Sequence, residues 1–221
     1  MKSKECLIIF DLDGTILDTS EGILSSAKFA INTMGYKMPD EEDLKAFIGP
    51  PIQDSFAHTF NISGNRLKYM TEIFRNRYKS EDLLKAVPYN GIIDVFDNLK
   101  KSNFKIAIAT YKRQDYAELI MKYFGFTNYT NIVCGSDFEG KLKKRDIINI
   151  ALKKSCITEN AKVVMIGDTI HDAEGAEQVG INFIGVTYGF GFKIVHEILN
   201  DNILGFAEKP KDILKILLGV N

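Results

Sequence analysis

Two aspartates, Asp11 and Asp13, stand in the stretch DLDGT directly after the apolar run CLIIF (6–10). A short, nearly continuous apolar run bounded by turn residues reads as a strand covered on both faces. Charge at the end of such a strand is costly unless something uses it. One carboxylate can serve as a nucleophile, and its neighbour two residues on can handle protons. Gly14 lets the chain turn away tightly, and Thr15 offers a hydroxyl to an oxyanion. A second set follows the run KIAIAT (105–110): the hydroxyl of Thr110, then Lys112. A third is GDTIHD (167–172), which follows KVVMIG and carries Asp168 and Asp172. The basic run KLKKR (141–145), usually a solvated surface, can supply a further cation.

In an open parallel sheet, ligands bind beyond the carboxyl ends of the strands. Three strand ends would therefore converge Asp11, Asp13, Thr110, Lys112, Asp168 and Asp172 at one edge. Four carboxylates there repel one another, and a divalent cation relieves the repulsion. Hard oxygen donors without thiolates or paired histidines favour Mg²⁺. A carboxylate nucleophile, a cation, hydroxyls and a lysine suit phosphoryl transfer, where positioning and charge neutralisation do most of the catalysis. An isolated D-x-D or GDT is often only a turn or helix cap; the ordered set at successive strand ends points to chemistry.

The elements that must position these residues are visible as alternation. Strand-like runs recur at 6–10, 105–110, 131–135, 162–167 and 182–187, with helical patterns at 89–103, 113–125 and 144–155. That order predicts an α/β fold with a central parallel sheet. From about Ile16 to Ala86 no strand signal appears. Amphipathic stretches such as SEGILSSAKFAINTMG and RLKYMTEIFRNRYKSEDLLK predict helices, GPP (49–51) breaks the segment, and VPYNG (87–91) closes it. The expected organisation is a core of residues 1–15 and 90–221, with a helical domain of residues 16–89 inserted after the first strand.

The 221 residues are 45% hydrophobic, enough for a sizeable core, and carry a net charge of −1. That balance argues against nucleic-acid or membrane partners. Cys6, Cys134 and Cys156 are widely spaced with no C-x-x-C, which disfavours disulfides or zinc and fits a reducing cytoplasm. No run approaches a membrane span, and CLIIF is too short for a signal peptide. A small phosphorylated substrate and a monomer or weak dimer are expected.

DLDGT, Thr110, the later lysine and GDTIHD, in that order, resemble the haloacid dehalogenase superfamily of aspartate-nucleophile phosphohydrolases along essentially the whole chain. The resemblance implies a Rossmann-like core with a helical cap. It implies that Asp11 is the nucleophile that becomes an aspartyl-phosphate and that Asp13 is the general acid/base. Thr110 and a lysine would hold the phosphoryl group. Asp11, the backbone carbonyl of Asp13, and Asp168 would bind Mg²⁺, with Asp172 supporting the metal or the lysine. The family lysine opens a helix, which favours Lys144, with Lys143 and Lys141 as alternatives; Lys112 would be a further anion contact. FIGPPIQDSF (47–56) and GVTYGFG (185–191) resemble the phosphoglycolate phosphatase-like branch, and would bring Gly49 and Pro50 over the substrate. The segment YGFGF only faintly looks like a dinucleotide loop; it lacks the third glycine. His171, flanked by the two motif aspartates, is read as a bystander, and His58 and His196 have no partner visible in the sequence. A phosphosugar mutase, a pyrophosphatase or 5′-nucleotidase, and a non-catalytic regulatory module stand as alternatives to a phosphomonoesterase.

Overall fold

Strand β1 (Cys6–Phe10) is the centre about which the rest is laid down. The computed structural model describes residues 5–192 and 201–219, so His196 lies outside the described residues. The described chain forms two compact units, one of residues up to Asp18 and from Pro88 on, the other of Thr19–Val87. Ile16–Asp18 and Pro88–Tyr89 thus belong to the first unit.

After β1 come β2 (Leu17–Asp18), helices α1 (Ser20–Thr33), α2 (Glu41–Lys45), α3 (Ile52–Phe60) and α4 (Gly64–Arg77), then β3 (Val87–Pro88) and α5 (Ile92–Lys101). The chain continues as β4 (Lys105–Arg113), α6 (Gln114–Tyr123), β5 (Val133–Ser136), α7 (Lys144–Ser155), β6 (Lys162–Gly167), α8 (Ile170–Val179), β7 (Asn182–Val186), β8 (Ile203–Ala207) and α9 (Pro210–Leu218). The main sheet has six strands in the order β5-β4-β1-β6-β7-β8; β2 and β3 make a separate two-stranded one. Every pairing in the main sheet is parallel. Chain order therefore runs outward from β1 in both directions. Such a reversal opens a crevice beyond the carboxyl ends of the strands that flank it, here β1 and β6. The Rossmann-like α/β architecture with a helical insert is as expected.

Side chains of β1 alternate between two cores. Leu7 and Ile9 pack with Ala107 and Ala109 of β4, Ile147, Ile148 and Ala151 of α7, and Ala173 and Ala176 of α8. On the other face Phe10 stacks on Phe96 of α5, ring centroids 4.8 Å apart. Both faces being covered, the strand is apolar throughout, and each such large side chain contributes about 1.5–3 kcal/mol on burial. This sheet is the rigid base from which the charged loops project.

Two differences from the sequence reading have physical causes. β4 runs on to Arg113, because Arg113 pairs with Ser136 past an irregularity after Ala109; Thr110 and Lys112 lie in the last residues of the strand rather than after it. β8 was not among the expected strands. It is partly exposed and contains Gly205 at φ +155, so its apolar signal is weak.

The second unit has an aromatic core. Phe47 meets Phe56 at 5.4 Å, Phe56 meets Phe74 at 6.1 Å, and Phe74 stacks on Tyr78 at 5.5 Å. A π-helical turn, Tyr78–Asp82, follows α4. Its Asp82 is fully buried, accepts from the Ser26 hydroxyl at 2.8 Å, and pairs with Arg77 at 3.2 Å and Lys85 at 2.8 Å.

Candidate active site

The DLDGT loop is a tight turn closed on itself. The amides of Ile16 and Leu17 both donate to the Leu12 carbonyl, at 3.0 and 3.1 Å, and the Gly14 amide donates to the Leu17 carbonyl at 2.9 Å. Asp11 is anchored to the sheet by its amide, which donates to the Ile166 carbonyl of β6 at 2.8 Å. Gly14 has φ +82, and a Cβ there would lie 2.2 Å from Asp168 Oδ2. Only glycine meets both the left-handed backbone and that approach. Asp11 is 6% exposed. Asp13, two residues on, is held by Lys112 Nζ, 2.8 Å from each of its carboxylate oxygens.

Lys144 is the first residue of α7 and 3% exposed. Its ammonium sits 2.5 Å from Asp11 Oδ1 and 2.5 Å from Asp172 Oδ1. A buried cation at a helix N-terminus is doubly unfavourable, through desolvation and the helix dipole. Burial would strip its proton, but the attraction of Asp11 and Asp172 prevails and holds the ammonium above its ordinary range. Tyr111 fixes the position: its hydroxyl accepts from the Lys144 amide at 3.0 Å, and its ring centroid is 5.4 Å from Nζ. Of the alternatives, Lys141 is exposed and pairs with Glu139, and Lys143 is exposed at the N-cap. Asp172 is fixed at its second oxygen by the Thr169 amide and hydroxyl, at 3.0 and 2.7 Å.

Asp168 is fully buried. Its Oδ2 accepts from the amides of Phe190 and Gly191 at 2.8 and 3.2 Å, and its Oδ1 from the Thr15 hydroxyl at 3.3 Å. Thr15 and Gly14, expected to face a phosphate, are thus given a different partner: the tight turn directs both against Asp168, and Thr15 is fully buried. Thr110 is buried, and its Oγ1 accepts from the Lys112 amide at 3.2 Å. Lys112, expected as an anion contact, has Asp13 as an internal partner. Gly49 and Pro50 belong to the second unit, in the turn that enters α3; Gly49 has φ +106, which requires glycine whatever space surrounds it. His171 packs edge-on to Tyr111 at 5.9 Å.

The charges do not balance. Among the described residues, Asp11, Asp13, Asp168 and Asp172 face two ammoniums, those of Lys112 and Lys144. Burial, reinforced by the neighbouring carboxylates, pushes Asp11 well above the carboxylate range against the pull of Lys144. Burial and Asp172 push Asp168 up to about 7, against the Phe190 and Gly191 amides and Lys144. Asp11, Asp168 and Asp172 each offer an oxygen, all within 4.8 Å of one another. An all-oxygen donor set with excess negative charge fits a hard divalent cation. The Asp13 side chain stands apart from these three, taken by Lys112.

Three contributors escaped the sequence reading. Tyr111 left only the signal of being between Thr110 and Lys112. The amides of Phe190 and Gly191 have no side-chain signature beyond the glycines of YGFG. That segment does cradle an anion, but the anion is Asp168.

Residues 8–186 match the family described as haloacid dehalogenase-like hydrolase. The chain is 33% identical over 185 residues to a 5′-nucleotidase of Pseudomonas aeruginosa, covering 83% of each chain. It is 29% identical over 191 residues to a phosphoglycolate phosphatase of Agrobacterium fabrum, covering 83% of this chain and 81% of that one. A crystal structure of a predicted phosphatase from Clostridium acetobutylicum superposes with a TM-score of 0.86 at 30% identity, covering 99% of this chain and 100% of the other.

Proposed function

The chain belongs to the haloacid dehalogenase-like hydrolases and is an enzyme of phosphate-ester hydrolysis, and from that premise we propose that it cleaves a small phosphomonoester through an aspartyl-phosphate on Asp11. The observation that carries this reading is the Lys144 ammonium bridging Asp11 and Asp172 at 2.5 Å. It supports one buried carboxylate aimed by a fixed cation, beside a second, Asp13, that is partly exposed. An Asp11 oxygen attacks phosphorus, the ester P–O bond breaks, and the leaving oxygen takes a proton from Asp13. Asp13 then accepts a proton from water, which attacks the aspartyl-phosphate, releasing inorganic phosphate and restoring the Asp11 carboxylate. Thr110, Lys144 and Lys112 neutralise and orient the phosphoryl oxygens. Asp11, the Asp13 carbonyl and Asp168, with Asp172 behind them, would hold Mg²⁺, which supplies charge neutralisation to the transferring group.

A phosphoglycolate-like substrate is supported by IGPP, GVTYGFG and the Agrobacterium relative; the Pseudomonas relative makes a nucleoside monophosphate the competitor. The helical insert, with the rigid Gly49–Pro50 turn, is proposed as the cap that chooses the alcohol portion. Among the described residues no helix is long and apolar enough to cross a membrane, and the cysteine spacing supports a cytoplasmic enzyme. The test is a panel of phosphoglycolate, nucleoside 5′-monophosphates, sugar phosphates and pyrophosphate with Mg²⁺, run with acid quenching of ³²P-labelled substrate. Wild type should leave acid-stable-at-low-pH label on protein. Folded Asp11→Asn should leave none and turn nothing over. Substantial turnover by that variant would sink the covalent route.

A further inference from the structure

Asp168 is held at its carboxylate by one short segment and at its carbonyl by the residue that follows it. The segment is Tyr188–Gly191. The amides of Phe190 and Gly191 both donate to Asp168 Oδ2, and the Phe192 amide donates to the Asp168 carbonyl at 2.8 Å. Gly189 and Gly191 have no room for a side chain: a Cβ on Gly189 would lie 2.3 Å from the Gly14 carbonyl oxygen and 2.7 Å from Asp168 Oδ2, and one on Gly191 would lie 2.4 Å from the Asp168 carbonyl oxygen. The Tyr188 hydroxyl donates to the Thr15 carbonyl at 2.9 Å. Thr15 in turn touches the other carboxylate oxygen, Oδ1, at 3.3 Å, the longest of these bonds. The two ends of the segment therefore act on the two oxygens of one carboxylate. Oδ2 is enclosed between Gly14, Gly189 and two amides; Oδ1 carries one long bond.

We propose that Tyr188–Gly191 is a positioning element for the divalent cation: it saturates Asp168 Oδ2 and, through Tyr188 and Thr15, holds the DLDGT loop so that Oδ1 is the oxygen presented to the ion. This rests on the reading of Asp11 and Asp168 as cation ligands. Fixed donors on one oxygen orient a ligating carboxylate, and loss of such a partner typically weakens metal binding 10–100-fold. Tyr188 and Thr15 act one bond further away, so their removal should weaken it less.

Titration calorimetry on EDTA-treated full-length protein, with Mg²⁺ and Mn²⁺ as probes and no substrate, tests this. Tyr188→Phe and Thr15→Val should each raise the Kd about 3- to 10-fold, and Thr15→Ser, which keeps the hydroxyl, should restore it. Gly189→Ala should raise it about 10-fold or more; should that variant fail to fold, the other three decide the matter. A merely structural role would lower the melting temperature of the metal-free variants and leave the Kd of the folded protein unchanged. Tight binding by wild type with an unchanged Kd in Tyr188→Phe and Thr15→Val, or no rescue by Ser, overturns the inference and leaves the metal reading standing. No cation binding by wild type overturns the metal reading itself.

Discussion

Replacing Lys144 by Met tests the electrostatics on which the site depends. Met keeps much of the length of the chain, which packs on Gly175, and removes the ammonium. Asp11 and Asp172, 6% and 1% exposed, would then be buried without a cation. Breaking a buried pair by removing one partner is destabilising by about 3–5 kcal/mol, because the charge left behind is uncompensated. Here two carboxylates are left, so the upper part of that range is expected. For a chain of this size each kcal/mol moves Tm by roughly 2–4 °C, so a fall of roughly 8–20 °C at pH 8 should appear. The loss must depend on pH. A proton can take the place of the ammonium between the carboxylates, so the folded variant binds a proton that the unfolded chain releases near pH ~4. Stability of the variant then falls as pH rises above that value, and the gap from wild type narrows towards pH 5. Thermal unfolding of both proteins in EDTA at pH 5, 6, 7 and 8 is the assay. Adding Asp172→Asn should recover part of the loss. A Tm at pH 8 within two or three degrees of wild type, or a shift equal at all four pH values, would refute the argument.

Asp13→Asn should reduce turnover about 10²–10⁴-fold on alkyl phosphates and less on p-nitrophenyl phosphate, whose leaving group needs little protonation; equal losses on both would exclude Asp13 as the proton donor. Asp168, pushed up to about 7 by burial, makes the metal-free fold lose stability as pH rises from about 4 to 7, because the folded state holds a proton there that the unfolded chain does not. Asp168→Asn should flatten that slope in a pH series of melting curves, and a slope unaffected by the substitution would contradict it. In the second unit, burial opposes ionisation of Asp82, but Lys85, Ser26, Ser25 and Arg77 together hold it below the usual range. Its contribution is therefore present above pH ~4 and lost as pH falls through the lowered value. Asp82→Ala should destabilise by about 2–3 kcal/mol at pH 7, discounted because Arg77 and Lys85 are partly exposed, and the difference should fade towards pH 3; a constant difference would make it a packing effect.

The parts legible in the sequence are those that repeat a strand's period or its abrupt end. CLIIF and KVVMIG read as buried strands, and DLDGT and GDTIHD mark where each stops being apolar; that β1 and β6 lie side by side, with Phe10 opposite Ile166, comes from the structure alone. Thr110 and Lys112 were legible as types, but not as a strand continuation, because an irregular register has no compositional signature. Lys144 could be separated from Lys141 and Lys143 only by where α7 begins. Tyr111 had no signal beyond its place between Thr110 and Lys112, and the amides that hold Asp168 are main-chain atoms that every residue shares. There glycine alone leaves a trace, as an unfilled Cβ, and YGFG carried that trace without saying which anion it meets. β8, short and half-exposed, offered too little apolar contrast.

The ion triad of Asp11, Lys144 and Asp172 ties β1, α7 and α8 together. That tie cannot be explained by stability. The same three elements already share Leu7, Ile9, Ile147, Ile148, Ala173 and Ala176 in one apolar cluster. Replacing a buried ion triad by apolar side chains of similar volume is often neutral or stabilising. The fold nevertheless commits a glycine at Gly14, two more at Gly189 and Gly191, a buried Thr15 and a Tyr hydroxyl to holding one further carboxylate, the fully buried Asp168. Charge so held gains strength from its low-dielectric surroundings and undergoes no reorganisation when a substrate charge develops beside it. The negative excess left by four carboxylates and two ammoniums is what a hard cation and a phosphoryl group's electrophilic phosphorus would meet together, one neutralising the ligands while the other accepts the Asp11 oxygen. The stability lost in burying these groups is thus the physical counterpart of the reaction proposed for them.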